Sequence, residues 1–200
     1  IDTPIPANVQ ESPKDGTLYL AMGIPYTLNT LLNTDETVDN LLKLVFEPLF
    51  YLDETMRPKS DLLEGYAFDS SGTALTVTLK SGLLWQDGRE ITADDIIYSM
   101  DTIAASEEDS FYKKALENVS LYKKNGDRSV TISFGQVFSG NIYSLCFPLI
   151  PKHYYGGAAD LGMKPLGSGP YKYESYVPAG ELVLAKTKDC FGEEGAIEKI

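Results

Sequence analysis

The sequence is poor in the residues from which metal centres and disulfide frameworks are built. Only 2 cysteines and 1 histidine occur among 200 residues, and they form neither a Cys-x-x-Cys pair nor a His/Cys cluster in the sequence. A zinc site is therefore not supported, and we expect no cofactor and no metal. The apolar surroundings of Cys146 and Cys190 favour two buried free thiols, and a single disulfide stays open if the chain is exported.

Long apolar runs and a secretory leader are also missing. No stretch approaches the ~20 apolar residues that a helix needs to cross a bilayer. Residues 1–15 are polar and contain proline, without the charged and apolar parts of a leader. We therefore expect this stretch to be a disordered lead or a tether, either in a cytosolic protein or in an exported one whose leader has been removed.

Basic residues are in the minority. The chain has 17 Lys and Arg against 29 Asp and Glu, which gives a formal net charge of -12. This charge opposes a phosphate backbone, so nucleic acid is excluded as an expected partner. The hydrophobic content of 43% allows a chain of this length to bury a core as one domain or as two small lobes.

The most regular stretch of the chain runs from residue 70 to residue 100. Residues 74–80 alternate between apolar and polar side chains, which predicts a half-buried strand. Trp85 is expected to be a core aromatic residue, and Asp87-Gly88 predicts a tight turn. Thr92 heads a capping box in which Asp95 is the third helical residue. The helix that follows presents one apolar stripe, formed by Ile96, Ile97, Met100, Ile103 and Ala104.

In this order, the strand, the Trp-x-Asp-Gly turn, the Thr-Ala-Asp-Asp cap and the apolar helix resemble a segment near the start of family 5 extracytoplasmic solute-binding proteins. These are the oligopeptide, dipeptide and nickel receptors of ABC importers. Further similar elements are FEPLF at 46–50, LLEGYA at 62–67, LIPKH at 149–153 and GSGPY at 167–171. The resemblance covers nearly all of residues 16–200. It departs at residues 188–191, where KDCF stands in place of the family's Asn-Pro-Asp-Tyr-Trp type of run.

The resemblance implies an α+β (mixed α/β) fold with a twisted sheet and packed helices, which would be part of lobe I of a type II-like periplasmic-binding-protein fold. Because family members are far longer, this chain would be an amino-terminal fragment of one. We expect residues 16–49 and 165–200 to form a partial core subdomain. Residues 50–164 are expected to form a smaller subdomain embedded in it.

Local patterns predict the remaining elements. Thr34 is expected to cap a helix that ends near Pro48, and Asn125-Gly126 predicts a hairpin turn. His153 is expected to lie at the start of a helix rather than to act in catalysis. The predicted strands are 16–21, 119–122, 129–134, 171–176 and 181–186, the predicted helices are 34–50, 111–117 and 139–146, and 51–59 is expected to be a hairpin or an extended connection.

The expected function also follows from the resemblance. The chain would belong to the substrate-binding component of an ABC importer, which captures a small solute between two lobes by hinge closure and delivers it to a membrane permease. An oligopeptide is the favoured solute, bound partly by backbone pairing. The resemblance also implies an extracytoplasmic location, as a cell-surface lipoprotein or in the periplasm, with a membrane tether in the full protein and a monomeric state. The ligand-binding residues expected in this chain follow the first strand, as the family's ligand-facing loop does, and are Gly23, Ile24, Pro25 and Tyr26.

Several alternatives stay open. An extracellular signalling-peptide receptor, an adhesin on the same fold and an oligosaccharide-binding member of the family are the main ones. A glycosidase would need facing carboxylates, for instance Asp94 and Asp95. Neighbours on a capped helix point in different directions, so we expect no catalytic residue and no enzymatic activity. GSGPY at 167–171 resembles a phosphate loop only superficially, because Pro170 removes an amide and no Gly-Lys-(Ser/Thr) ending follows.

Overall fold

The structure, a computed structural model, describes residues 16–107, 110–157, 161–187 and 197–200. The lead at 1–15 and the corner at 188–191, which contains Cys190, lie outside the described residues. The combination of helices with antiparallel sheets confirms the predicted α+β class. In chain order the elements are α1 (Glu36–Leu42), β1 (Tyr51–Leu52), β2 (Pro58–Lys59), β3 (Leu63–Phe68), β4 (Ala74–Leu79), α2 (Ala93–Ala105), β5 (Val119–Lys124), β6 (Ser129–Phe134), α3 (Lys152–Tyr155), β7 (Tyr171–Tyr176) and β8 (Leu182–Lys186).

A four-stranded antiparallel sheet forms the largest part of the fold, in the order β3-β4-β6-β5. The apolar residues of β4 and β6 are buried in alternation, as the sequence pattern predicts. On the opposite face, the Thr76 and Thr131 hydroxyls lie 2.8 Å apart across the two strands. Asn125 and Gly126 lie in the connection between β5 and β6, which confirms the predicted hairpin.

Helix α2 packs against β5 and β6 of this sheet. Its predicted capping box is present, with Thr92 as the N-cap and Asp95 as the third helical residue. Ile96, Met100 and Ile103 are fully buried. The predicted stripe is too wide at its end, because Ala104 is exposed on the helix surface.

The predicted helix at 34–50 is wrong in its length and in its cap. α1 ends at Leu42, and Asp35 rather than Thr34 caps it. Beyond Leu42 the amides of Leu44 and Val45 donate only three residues back, to the carbonyls of Leu41 and Leu42, and the Leu44 and Val45 carbonyls accept from the amides of Tyr171 and Gly169. The side chains predicted to face the core are nevertheless all buried, namely Val38, Leu41, Leu42, Val45 and Leu49.

The predicted strand at 16–21 is reduced to one bridge, in which Thr17 pairs with Lys199. Residues 18–21 continue without strand pairing within the part of the chain that the structure describes. An alternating pattern alone does not make a strand, since each edge group needs a partner to form a ladder. The strands predicted at 171–176 and 181–186 are confirmed as the antiparallel hairpin of β7 and β8, although β8 begins at Leu182.

Two predicted helices are shorter and more tightly wound than expected. The helix predicted at 111–117 is a 3-10 helix at Lys114–Leu116, and the one predicted at 139–146 is a 3-10 helix at Asn141–Leu145. α3 follows Pro151, so His153 lies at a helix start as predicted. The short strands β1 and β2 pair, which confirms the hairpin predicted at 51–59.

One contiguous hydrophobic core joins α1, the four-stranded sheet, α2 and the β7–β8 hairpin. Trp85 is fully buried in it, as predicted. Cys146 carries a free thiol and is half-buried rather than fully buried. Among the described residues, no helix is both long enough and apolar enough to cross a membrane.

Candidate ligand-binding site

The loop that was expected to face a ligand lies at the rim of a groove of about 670 Å³. Residues 17–25 form one side of this groove, and the β7–β8 hairpin forms the other. The lining is mostly apolar, and its charged residues are Glu181 and Lys199. The groove has the size of a small-molecule or peptide site.

The four predicted residues differ in how far they reach solvent. Tyr26 is 98% exposed and Ile24 is 76% exposed, which leaves two large apolar side chains open at the rim. Pro25 is buried, and Gly23 is half-buried. The structure brings Gly23, Ile24 and Pro25 to the groove lining, whereas Tyr26 stands next to it. Exposed Ile and Tyr side chains on one loop can contact an apolar or aromatic ligand.

The first end of the loop is tied to the amino terminus of α1. The Gly23 amide donates to the Thr37 hydroxyl oxygen at 2.8 Å, and the same hydroxyl donates to Asp35 Oδ1 at 2.6 Å. The bond from Thr37, together with the amide of Val38, holds the pKa of Asp35 below its usual value. A Cβ atom on Gly23 would lie 2.5 Å from Asp35 Oδ2, so this close approach requires glycine. The loop is therefore held to a capped helix end.

The second end of the loop is held by a buried turn. The Leu28 amide donates to the Gly162 carbonyl at 2.6 Å. Asn29 is buried, and its side-chain oxygen accepts from the Leu31 amide at 3.1 Å. The Ser110 hydroxyl then donates to the Leu31 carbonyl at 3.1 Å. Together with the helix contact, these bonds fix both ends of the exposed stretch, which is how a binding loop is presented on a rigid base.

The GSGPY motif has a structural role close to α1. The Gly169 amide donates to the Val45 carbonyl at 2.8 Å, and the Gly167 amide donates to the Gln86 side-chain oxygen at 3.2 Å. A Cβ atom on Gly167 would lie 1.9 Å from the Val45 carbonyl oxygen, so only glycine allows this packing. Since these amides already have acceptors, they cannot line a phosphate site, and the turn predicted from the sequence is favoured.

Gln86 holds this motif in place, and sequence reasoning missed it. Its amide nitrogen donates to the carbonyls of Gly169 at 3.1 Å and Tyr171 at 2.9 Å, and its backbone amide donates to the Gly167 carbonyl at 2.9 Å. The side chain thus joins the Trp-x-Asp-Gly turn to GSGPY. No local pattern signals this pairing, because the partners are more than 80 positions apart.

The carboxylates considered for catalysis have structural contacts. Asp95 is buried and accepts hydrogen bonds from the Trp85 indole and from the Thr92 and Lys152 amides. The hydrogen bond from the Lys124 ammonium holds the pKa of Asp94 below its usual value. The two acids therefore make different kinds of contact: Asp94 pairs with the ammonium groups of Lys124 and Lys152, and Asp95 accepts from backbone amides and an indole.

The only histidine in the sequence contacts the Trp-x-Asp-Gly turn. His153 Nε2 lies 2.7 Å from Asp87 Oδ2, which joins the start of α3 to the Trp-x-Asp-Gly turn. No group of three His, Cys, Asp or Glu side chains within the described ranges is placed to hold a metal ion. His153 thus has the position of a residue that connects two elements.

Comparison with known proteins identifies the family. The family model described as bacterial extracellular solute-binding proteins, family 5 (middle), matches residues 57–200. The chain belongs to this family. It is 27% identical over 182 residues to the oligopeptide-binding protein AppA of Bacillus subtilis, which covers 86% of this chain and 33% of AppA. It is 29% identical over 166 residues to the glutathione-binding protein GsiB of Salmonella typhi, which covers 80% of this chain and 32% of GsiB.

Solved structures show the same fold. The structure of Bacillus subtilis AppA in complex with a nonapeptide has a TM-score of 0.77 at 25% identity, covering 90% of this chain and 38% of AppA. NikZ from Campylobacter jejuni, in complex with Ni(L-His), has a TM-score of 0.80 at 20% identity, covering 92% of this chain and 38% of NikZ. The chain spans about a third of the length of the curated relatives that it matches. The relatives are solute-binding proteins by name, and their family is extracellular.

Proposed function

We propose that this chain is part of lobe I of a substrate-binding component of an ABC importer, and that an oligopeptide is its solute. Membership of family 5 is the observation that carries the proposal. The full protein would close two lobes around the solute and deliver it to a membrane permease. Residues 16–49 with 165–200 would form the core subdomain of this lobe, and residues 50–164 the embedded one.

The proposed ligand contacts are Gly23, Ile24, Pro25 and Tyr26. Their support is the exposure of Ile24 and Tyr26 at the groove rim and the attachment of the loop at both ends. An extended peptide suits this geometry, because the amides of residues 19–21 make no hydrogen bond within the described part of the chain. Such amides can pair with a peptide backbone.

The full protein would act outside the cytoplasm as a monomer. A lipid anchor ahead of residue 16 would hold it near its permease, or it would be free in a periplasm. Residues 1–15 would then be a tether between the anchor and lobe I. Fractionation of cells that express the full-length protein, with and without globomycin, separates the anchored form from the free one.

The first test identifies the solute on the full-length protein. Native mass spectrometry of protein purified without denaturation should release a mixed set of short peptides. A single sugar, metal chelate or signalling peptide would contradict the oligopeptide assignment. A protein that is empty, and that no peptide or sugar library stabilises thermally, would contradict solute capture.

A second test addresses the loop. Tyr26→Ala should weaken peptide binding about fivefold, the loss of one aromatic contact of ~1 kcal/mol, without changing the melting temperature of the free protein. Phe138→Ala is the matched control, because Phe138 is an exposed aromatic residue outside the groove. Equal affinities for the two variants would contradict the placement of the ligand at this loop.

A further inference from the structure

A second pocket, of about 520 Å³, lies where the segment after α1 meets the segment before α3. Among the described residues, its lining shares none with the groove beside residues 17–25. Lys43 and Tyr51 in the lining are exposed, so the pocket opens to solvent and a ligand has a path into it. Its volume is that of a small-molecule site, which is typically about 300–1,000 Å³.

Rings and prolines form most of the pocket wall, namely Phe46, Phe50, Tyr51, Tyr112, Pro48 and Pro148. Phe46 and Phe50 are fully buried side chains of the hydrophobic core. Pro48 and Pro148 pair in a bridge that holds the two segments together. The core and this bridge fix the wall before any ligand arrives, and a preformed wall lowers the cost of binding. Such a wall suits a ligand with an apolar or aromatic part.

Two carboxylates, Glu47 and Asp61, stand in this otherwise mostly apolar lining. Within the described ranges neither carboxylate makes an ion pair, and that of Glu47 makes no hydrogen bond. The cation of the lining is Lys43, and its ammonium binds Asp39 at 2.9 Å and Asn40 at 3.1 Å instead. The pocket therefore carries negative charge that its own lysine does not neutralise.

The other titratable groups of the lining add no positive charge. Burial raises the pKa of Tyr51, of Tyr112 and of the Cys146 thiol, so all three groups are neutral at pH 7. Burial first, and the charge of Asp61 second, raise the pKa of Glu47 to about 7. This direction is the one expected for a carboxyl that has no cation beside it, and it agrees with the contacts described above.

The chemistry of the lining favours one class of occupant. An anion would be repelled by the two carboxylates, and a neutral apolar ligand would cover them without a counter-charge. A hard metal ion such as Ca²⁺ takes about 6–8 oxygen ligands, and no group of three His, Cys, Asp or Glu side chains in the described part of the chain is placed to hold a metal. An organic cation would neutralise the acids and also cover the aromatic wall, to which ammonium groups are attracted.

We propose that this pocket is a second ligand site, which binds a small organic ammonium ion with an aromatic or aliphatic body. The ammonium group binds the carboxylates of Glu47 and Asp61, and the body packs on the rings and prolines of the wall. The site is separate from the groove in which the solute is proposed to bind. It therefore does not depend on the identity of that solute.

The experiment compares two probes of the same shape on the full-length protein. 2-Phenylethylamine carries an ammonium group at pH 7.5, and 2-phenylethanol has a neutral hydroxyl in its place. Isothermal titration calorimetry should give at least about tenfold tighter binding for the amine, because hydrogen bonds to charged groups are the stronger ones. Equal affinities for the two probes, or no binding of the amine, overturn the proposal.

Three variants test which acids are responsible. Glu47→Gln and Asp61→Asn should each weaken binding of the amine at least about fivefold and leave binding of the alcohol unchanged. Glu54→Gln is the matched control, because Glu54 is an exposed acid outside the pocket lining. A loss as large in Glu54→Gln would indicate general attraction to an acidic protein and would overturn the site, as would unchanged binding in Glu47→Gln and Asp61→Asn.

Cys146 locates the bound amine, because it lines the same pocket and carries a free thiol. In the full-length protein with Cys190→Ser, saturating 2-phenylethylamine should slow thiol labelling of Cys146 at least about fivefold, because most pockets are then occupied. The same concentration of 2-phenylethanol should slow it less. An unchanged labelling rate with the amine bound overturns the placement. This result does not require the Glu47 and Asp61 variants to fold.

The groove provides the last control. Tyr26→Ala should leave the affinity for 2-phenylethylamine within twofold of the wild type, because Tyr26 lies beside the groove and outside the second pocket. A larger loss would place the amine at the loop and overturn the second site. The effect of Tyr26→Ala on peptide binding concerns only the proposed function, so the two proposals can fail independently.

Discussion

Replacement of Asp95 by alanine should cost more stability than any other single carboxylate change in the turn and helix that contain it. Asp95 is 4% exposed. One oxygen accepts from the Lys152 amide at 2.8 Å, and the other accepts from the Thr92 amide at 2.8 Å and the Trp85 indole at 3.3 Å. The side chain therefore joins three segments, namely the Trp-x-Asp-Gly turn, the start of α2 and the start of α3.

The magnitude follows from the donors that Asp95→Ala leaves without an acceptor. An unsatisfied buried donor costs about 1–3 kcal/mol, and the lost capping box contributes about 1 kcal/mol. Water can reach some of the donors that lose Asp95 as their acceptor, so we expect the free energy of unfolding to fall by about 3–5 kcal/mol. The loss for Asp95→Asn should lie between zero and the loss for Asp95→Ala, because the asparagine oxygen still accepts hydrogen bonds whereas its amide nitrogen cannot.

Urea unfolding of the full-length protein, followed by circular dichroism, measures the loss. Asp94→Ala is the matched control, since the neighbouring side chain is 43% exposed and its ion pairs with Lys124 and Lys152 lie at the surface. That variant should lose less than about 1 kcal/mol. Equal losses for Asp94→Ala and Asp95→Ala would refute the reasoning, because the burial of Asp95 would then have no energetic consequence.

Three further predictions concern GSGPY and Glu47, whose pKa is raised from 4.5 to about 7 by burial first and by the charge of Asp61 second. Gly167→Ala should prevent the packing of its motif on Val45 and lower the free energy of unfolding by more than about 3 kcal/mol, as measured by urea unfolding; a loss below 1 kcal/mol would contradict the close approach. Gln86→Leu should lower the free energy of unfolding by about 2–4 kcal/mol, because the two carbonyls and the amide that its side chain binds lose their partner. Gln86→Glu keeps the acceptor oxygen and so tests the loss of the donor alone. Glu47→Gln should match the wild type near pH 4 and exceed its stability by up to about 3 kcal/mol at pH 8, and an opposite slope in a pH series of unfolding curves would count against it.

Local patterns were sufficient for β4, α2 and the β5–β6 hairpin. In each case the signal lies within a short window: alternation buries one face of β4, and a side chain three residues away closes the cap of α2. These features depend on neighbours in the chain and on a periodicity that any nearby core will satisfy. The same reasoning placed Trp85 in the core and His153 at a helix start.

Local patterns were not sufficient for the segments around the candidate site. The helix predicted at 34–50 ends at Leu42, and residues 18–21 lack a ladder partner in the described part of the chain. Asp35 rather than Thr34 is the cap, because its carboxylate accepts from the Thr37 and Val38 amides. The Thr37 hydroxyl in turn joins Asp35 to the Gly23 amide. Such contacts depend on which distant segment packs against these residues, and a short window of sequence does not indicate that.

The sequence by itself determined β4, α2 and the β5–β6 hairpin, since periodicity, caps and turn residues act over a few positions, and its resemblance to family 5 indicated the α+β class. The tertiary structure alone decided that Gly167 must be a glycine, that Gln86 joins two distant motifs and that Glu47 and Asp61 line one largely apolar pocket. The physical reason is distance along the chain: steric exclusion, hydrogen-bond partners and desolvation are set by atoms that approach only when remote segments pack together.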